Sequence, residues 1–147
     1  MKILLIHGPN LNMLGRREPE IYGHTTLAQI DEAVRTRAAT SGATLLAFQS
    51  NHEGALIDFM QQHIDSADGA ILNPGGLTQH GVSTHDCIKA MPFPVIEVHL
   101  SNLATREEWR HRSIISPAVK GTVQGLGWRS YTAALRAIVE IAREAKG

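Results

Sequence analysis

Glu97 and His99 stand two residues apart at the end of an apolar run, so on an extended chain they share a face. A carboxylate beside an imidazole fixes its tautomer and favours its protonated form, which makes a general acid near neutral pH; an ordinary strand-end ion pair has the same spacing. A second pairing lies in Arg16-Arg17-Glu18-Pro19-Glu20-Ile21-Tyr22-Gly23. A free phenol titrates near 10, and a neighbouring cation lowers that by about 1–3 units, which brings a phenolate base within reach. A loop tyrosine also serves simply to pack. Around these pairs stand amides, hydroxyls and imidazoles: Asn10 and Asn12 after His7, then Asn73, Thr78, Gln79 and His80, then, past Leu100, Ser101 and Asn102. Together they describe acid–base chemistry on a small polar substrate.

Other chemistries find little support. The four lysines lie outside these segments, which disfavours a Schiff base. Eight histidines show no zinc-type spacing. Cys87 follows His85 and Asp86, but adjacent helix positions do not face one another, so a buried small side chain is expected. Gly125-Leu-Gly127 lacks the third glycine of a dinucleotide fingerprint. Neither metal nor cofactor is expected.

Five strand-type runs position these groups: Lys2–His7, Ala43–Gln49, Gly69–Asn73, Pro94–Val98 and Ala118–Val123. Between them, apolar residues recur at spacings of three and four. The series are Leu27, Ile30, Val34, Ala38; Leu56, Phe59, Met60, Ile64; and Tyr131, Leu135, Ile138, Ala142. Thr26 with Gln29 forms a capping-box pattern. A weaker helix is predicted over Val82–Met91 and a short polar one over Arg106–Arg112. Alternating strands and helices imply right-handed crossovers and a parallel sheet with helices on both faces. Five strands in a chain this long fit the flavodoxin-like order 2-1-3-4-5, in which ligands bind beyond the strand ends at the switch between strands 1 and 3. His7, Asn73 and His99 stand at or beside three such ends. The long Gly8–His24 loop, with two prolines and four charged residues, reads as a lid over that rim.

The chain has 147 residues, 43% of them hydrophobic, which suits one domain spanning 1–147 with a sizeable core. Lys plus Arg and Asp plus Glu each total 14, so no charge excess points to nucleic acid or membrane. A single cysteine and no apolar leader fit a cytoplasmic protein.

Read in order, the segments resemble type II 3-dehydroquinate dehydratase. They are Ile-His-Gly-Pro-Asn-Leu-Asn, Leu-Gly-Arg-Arg-Glu-Pro-Glu-Ile-Tyr-Gly, Gln49-Ser-Asn-His-Glu-Gly, Ile71-Leu-Asn-Pro-Gly-Gly, Ile96-Glu-Val-His-Leu-Ser-Asn, Arg106-Glu-Glu-Trp-Arg and Gly125-Leu-Gly. The resemblance runs from about residue 1 to 140. It implies a flavodoxin-like subunit in a homo-oligomer, a dodecamer of trimers. It also implies reversible, cofactor-free dehydration of 3-dehydroquinate to 3-dehydroshikimate through an enol or enolate. Matched by position, Tyr22 would be the base, Arg17 its phenolate partner, and His99, oriented by Glu97, the acid. Asn10 would help hold a water at the enolate oxygen. Asn73, Ser101 and the Leu100 and Ser101 amides would hold the substrate, Arg110 its ring hydroxyls, and Asp86 would act from a neighbouring subunit. This chain departs from the family pattern at His7 (usually Asn), Gln79 (usually His), His85 (commonly Arg) and Ala104 (His). The alternatives from the residues are a relative binding a different ring acid, or a non-enzymatic flavodoxin-like module.

Overall fold

A computed structural model describes residues 1–147. The strands are β1 (Lys2–His7), β2 (Thr44–Gln49), β3 (Gly69–Asn73), β4 (Val95–His99) and β5 (Gly121–Gln124). The helices are α1 (Pro19–Tyr22), α2 (Leu27–Thr40), α3 (Glu53–Gln62), α4 (Val82–Ala90) and α5 (Arg129–Lys146). The strands form one parallel sheet in the order 2-1-3-4-5, as the alternation of elements predicts. His7 pairs in register with both Gln49 and Asn73, so the switch point carries polar side chains from three neighbouring strand ends.

Strand alternation divides the core into two layers. Ile3 and Leu5 of β1 pack with Ile71, Ile96 and Val98 against α2 and α5. Leu4 and Ile6 pack with Ala70, Leu72 and Val95 against the α3–α4 side. The same parity carries on to the strand ends. His7 and Asn73 continue the α2–α5 face, whereas Glu97 and His99 continue the opposite face behind Val95. All five residues of β3 and of β4 are buried, as for a strand covered on both sides. The capping box predicted at Thr26 is present: its hydroxyl accepts from the Gln29 amide, and the Gln29 side chain accepts from the Thr26 amide.

Several boundaries move. β4 runs one residue beyond Val98 and takes in His99 as its last residue. β5 begins at Gly121 rather than Ala118, because Ser116–Ala118 closes a 3₁₀ turn around Pro117. The helix predicted over Arg106–Arg112 shrinks to a 3₁₀ turn at Glu108–Arg110. That segment lacks an apolar stripe that could bury a helix face. Within Gly8–His24 the chain forms a 3₁₀ turn at Leu11–Met13 and the four-residue α1.

Candidate active site

The ends of β3 and β4, the loops that follow them and the Gly8–His24 segment line one cavity. Its walls include Asn10, Arg17, Tyr22, Asn73, Thr78, Gln79, His99, Ser101, Arg106 and Arg110. Of the residues that the resemblance places against the substrate, Leu100 also lines it and Asp86 does not; Glu97, behind His99, and Asn12, His80 and Asn102 also stand outside its wall. Asp86 sits on the outer face of α4, its side chain 74% exposed, where His85 Nδ1 contacts its carboxylate at 3.2 Å.

The floor is made of buried polar groups. Glu97 is fully buried, and its Oε2 contacts His99 Nε2 in a short bond. The Glu97 carboxylate also accepts from Ser113 Oγ at 3.0 Å and Ser116 Oγ at 2.7 Å. Because Nε2 faces Glu97, the Nδ1 of His99 is the ring nitrogen left for a ligand. On the other face of the sheet, Asn73 Nδ2 donates to Tyr131 Oη at 2.9 Å, and Asn73 Oδ1 accepts from the Gly75 amide at 3.1 Å. Tyr131 Oη lies 3.4 Å from His7 Nδ1, and His7 Nε2 lies 2.7 Å from Asp31. Burial pushes the Tyr131 phenol above its ordinary value, so it stays a neutral hydroxyl, accepting from Asn73 and donating to His7. His7, the departure from the family asparagine, is thereby joined to the amide that lines the cavity. No buried polar side-chain atom lacks a partner.

The roof is the Gly8–His24 segment. Arg17 Nη2 donates to Tyr22 Oη at 3.2 Å, with its guanidinium 4.5 Å from the ring centre. A second guanidinium does the same from across the cavity: Arg106 Nη2 donates to Tyr22 Oη at 3.2 Å and Nη1 to Ser101 Oγ at 3.1 Å. Burial works against the Arg106 charge, but its bonds to Tyr22 and Glu107 prevail and hold it above the ordinary arginine value. Two cations on one phenol oxygen stabilise negative charge there. Sequence reading assigns Arg17 to this role and passes over Arg106, which is 84 positions away and resembles a solvated charge. Asn10 reaches the cavity from a left-handed backbone (φ 68°), a conformation asparagine tolerates better than most residues. Its backbone N–H donates to Asn51 Oδ1 at 2.9 Å.

At the side, Gln79 lines the cavity and its Nε2 donates to the Arg110 carbonyl at 3.2 Å. His80, one residue on, is exposed and does not line it. Arg110 is braced by Glu107 at 2.7 Å, and this bond holds the Glu107 carboxyl below its usual range. Cys87 is a free, buried thiol that burial pushes up, with no triad around it. No three His, Cys, Asp or Glu side chains converge as metal donors, and no helix is long and apolar enough to cross a membrane.

Residues 1–139 match the family model described as dehydroquinase class II. The chain is 57% identical over 135 residues to the 3-dehydroquinate dehydratase of Roseiflexus castenholzii, covering 92% of this chain and 86% of that protein. It is 49% identical over 135 residues to the enzyme of the same name from Herpetosiphon aurantiacus, covering 92% and 94%. The crystal structure of type II dehydroquinase from Butyrivibrio crossotus superposes with a TM-score of 0.92 at 37% identity, covering 94% of this chain and 97% of that one. By sequence along 139 residues and by the fold of its sheet, the chain belongs to the class II dehydroquinase family.

Proposed function

We propose that this chain is a type II 3-dehydroquinate dehydratase, a hydro-lyase of the shikimate pathway that interconverts 3-dehydroquinate and 3-dehydroshikimate. The observation that carries the mechanism is one cavity with a doubly cation-bonded phenol on its roof and a carboxylate-backed imidazole on its floor. Tyr22, as phenolate, removes the proton beside the substrate ketone, and the electrons pass to the carbonyl oxygen as an enol or enolate. Asn10 and the water it holds stabilise that oxygen. The enolate then reforms the ketone and expels the β-hydroxyl, which takes a proton from His99 Nδ1 and departs as water. The products are the conjugated enone, water, a neutral His99 and a protonated Tyr22. The two residues regain their starting states by exchanging protons with solvent. Each transfer by a positioned group contributes about 10²–10⁴ in rate. Asn73, Gln79, Ser101, the amides of Leu100 and Ser101, and Arg110 hold the ring hydroxyls and carboxylate.

Arg106 joins Arg17 as a partner of the phenolate. The Gly8–His24 segment acts as a lid that orders over the ligand; hydrogen exchange around residues 16–24 should slow when a substrate analogue binds. Asp86 points away from this cavity and completes a neighbouring subunit's site in a homo-oligomer, for which the resemblance implies a dodecamer built of trimers. A fully active monomer in sedimentation would overturn that part. The enzyme works in the cytoplasm, without cofactor. The direct test of function is an ultraviolet assay for the enone formed from 3-dehydroquinate. Enone formation is expected, and its absence at high enzyme concentration overturns the assignment.

A further inference from the structure

We propose that Ser113 and Ser116 are positioning residues for the acid step, holding Glu97 as an ionised acceptor so that the second proton of the dyad resides on His99. This rests on the dehydratase reading, in which His99 is the acid.

The proton positions follow from counting donors. A serine hydroxyl has one hydrogen and two acceptor sites. Ser113 Oγ accepts from the Ile115 amide at 3.1 Å and the Ser116 amide at 3.0 Å, which fills both acceptor sites. Its only hydrogen therefore goes to its remaining partner, Glu97 Oε2, at 3.0 Å. Ser116 Oγ has one partner, Glu97 Oε1, at 2.7 Å, and a carboxylate oxygen accepts. Both oxygens of a fully buried carboxyl group thus receive hydroxyl hydrogens, and Oε2 also faces His99 Nε2.

A buried Glu–His pair has two forms with the same number of protons: carboxylate with imidazolium, or carboxylic acid with neutral imidazole. Burial alone favours the neutral pair, because it penalises both charges. Hydroxyl donors act the other way, since bonds to a charged acceptor are stronger than bonds to a neutral one. Only the imidazolium is a strong enough acid to protonate a departing hydroxyl from Nδ1. The two serines therefore set the form in which the dyad waits. Their own positions are fixed by the turn they build and by Ile115, which is fully buried beneath them. The Ile114 amide bonds the Thr78 carbonyl at 2.9 Å, which ties this turn to the cavity wall.

Ser116→Ala is the clean variant, because Ser113→Ala would also strand two backbone amides. Turnover of 3-dehydroquinate by Ser116→Ala should show kcat lowered roughly tenfold or more, the loss expected for one bond to a charged group, with KM nearly unchanged. Ser116→Thr keeps the hydroxyl and should recover most of kcat. In a Glu97→Gln background the Ser116→Ala change should cost little further, because the carboxylate it serves is gone. Equal kcat in wild type and Ser116→Ala overturns the inference. So does a loss that Ser116→Thr does not restore, or one that is fully additive with Glu97→Gln. Absence of turnover in the wild type overturns the dehydratase reading instead, and this inference with it.

Discussion

The floor and the roof of the cavity are built differently. On the floor, Asn73, Glu97 and His99 are buried at strand ends, and each is tied to partners that are themselves buried or hydrogen-bonded. On the roof, Asn10, Arg17 and Tyr22 sit on a partly exposed loop that enters helix α1 through Glu18 in a left-handed conformation (φ 34°). The roof meets the floor side through Arg106, which reaches both Tyr22 and Ser101. The proposed acid and its carboxylate partner are thus fixed by the sheet, whereas the proposed base is carried on a loop. Stability and chemistry should therefore separate by region.

The largest effects should come from removing the two groups proposed to transfer protons. Tyr22→Phe and His99→Ala should each lower kcat by about 10²–10⁴. Tyr22→Phe, on the roof, should leave the melting temperature close to that of the wild type. Near-normal turnover in Tyr22→Phe would break the assignment of the base. Glu97→Ala tests the floor: it strands a buried imidazole and two half-buried serine hydroxyls. A loss of about 3–5 kcal/mol in denaturant unfolding is expected alongside lost activity. An unchanged unfolding midpoint would show that floor and roof do not differ as described.

Smaller effects belong to the side wall. Glutamine at position 79 keeps a donor and an acceptor but carries no charge. A missing hydrogen bond at a buried polar site weakens binding by up to roughly a hundredfold, and Gln79→His should recover part of that loss as a lower KM, with little change in kcat. A kcat change larger than the KM change would move position 79 from binding into the chemistry. The smallest effect is expected at the opposite end of the sheet, where Lys146 holds the Asp68 carboxyl below its usual range at 2.9 Å. A depressed carboxyl contributes stability above its unfolded value and loses it as pH falls through the folded one. Asp68→Asn should therefore cost under about 1 kcal/mol at neutral pH and less in acid, with activity intact. Any loss of turnover would show that this end communicates with the site.

Much of this was legible in the residues. The sheet order follows from short, mostly apolar runs of five to seven residues alternating with three–four spacing. Glu97 and His99 share a face because strands alternate. β5 was misplaced because Ala118 and Val119 are as apolar as a strand, whereas the real edge strand is mostly exposed and carries little hydrophobic signal. Arg106, Ser113 and Ser116 escaped notice for a different reason. A loop cation or hydroxyl looks the same whether it faces water or a buried partner, and only the three-dimensional path of the chain decides which. Asp31 beneath His7 escaped in the same way, since 24 residues separate them.

The root of the lid has a consequence for recombining this family. The Gly8 amide bonds the Asn73 carbonyl at 2.8 Å, and a Cβ on Gly8 would lie 2.5 Å from the Pro74 oxygen. Reciprocally, a Cβ on Gly75 would lie 2.8 Å from the Pro9 oxygen. The two loops touch backbone to backbone, with no side chain between them to absorb a mismatch. Lids exchanged among relatives should therefore transplant cleanly only when the Asn73–Gly76 turn travels with them. Chimeras with a crossover anywhere between the two loops join halves that never adjusted to each other, even where each half is sound on its own.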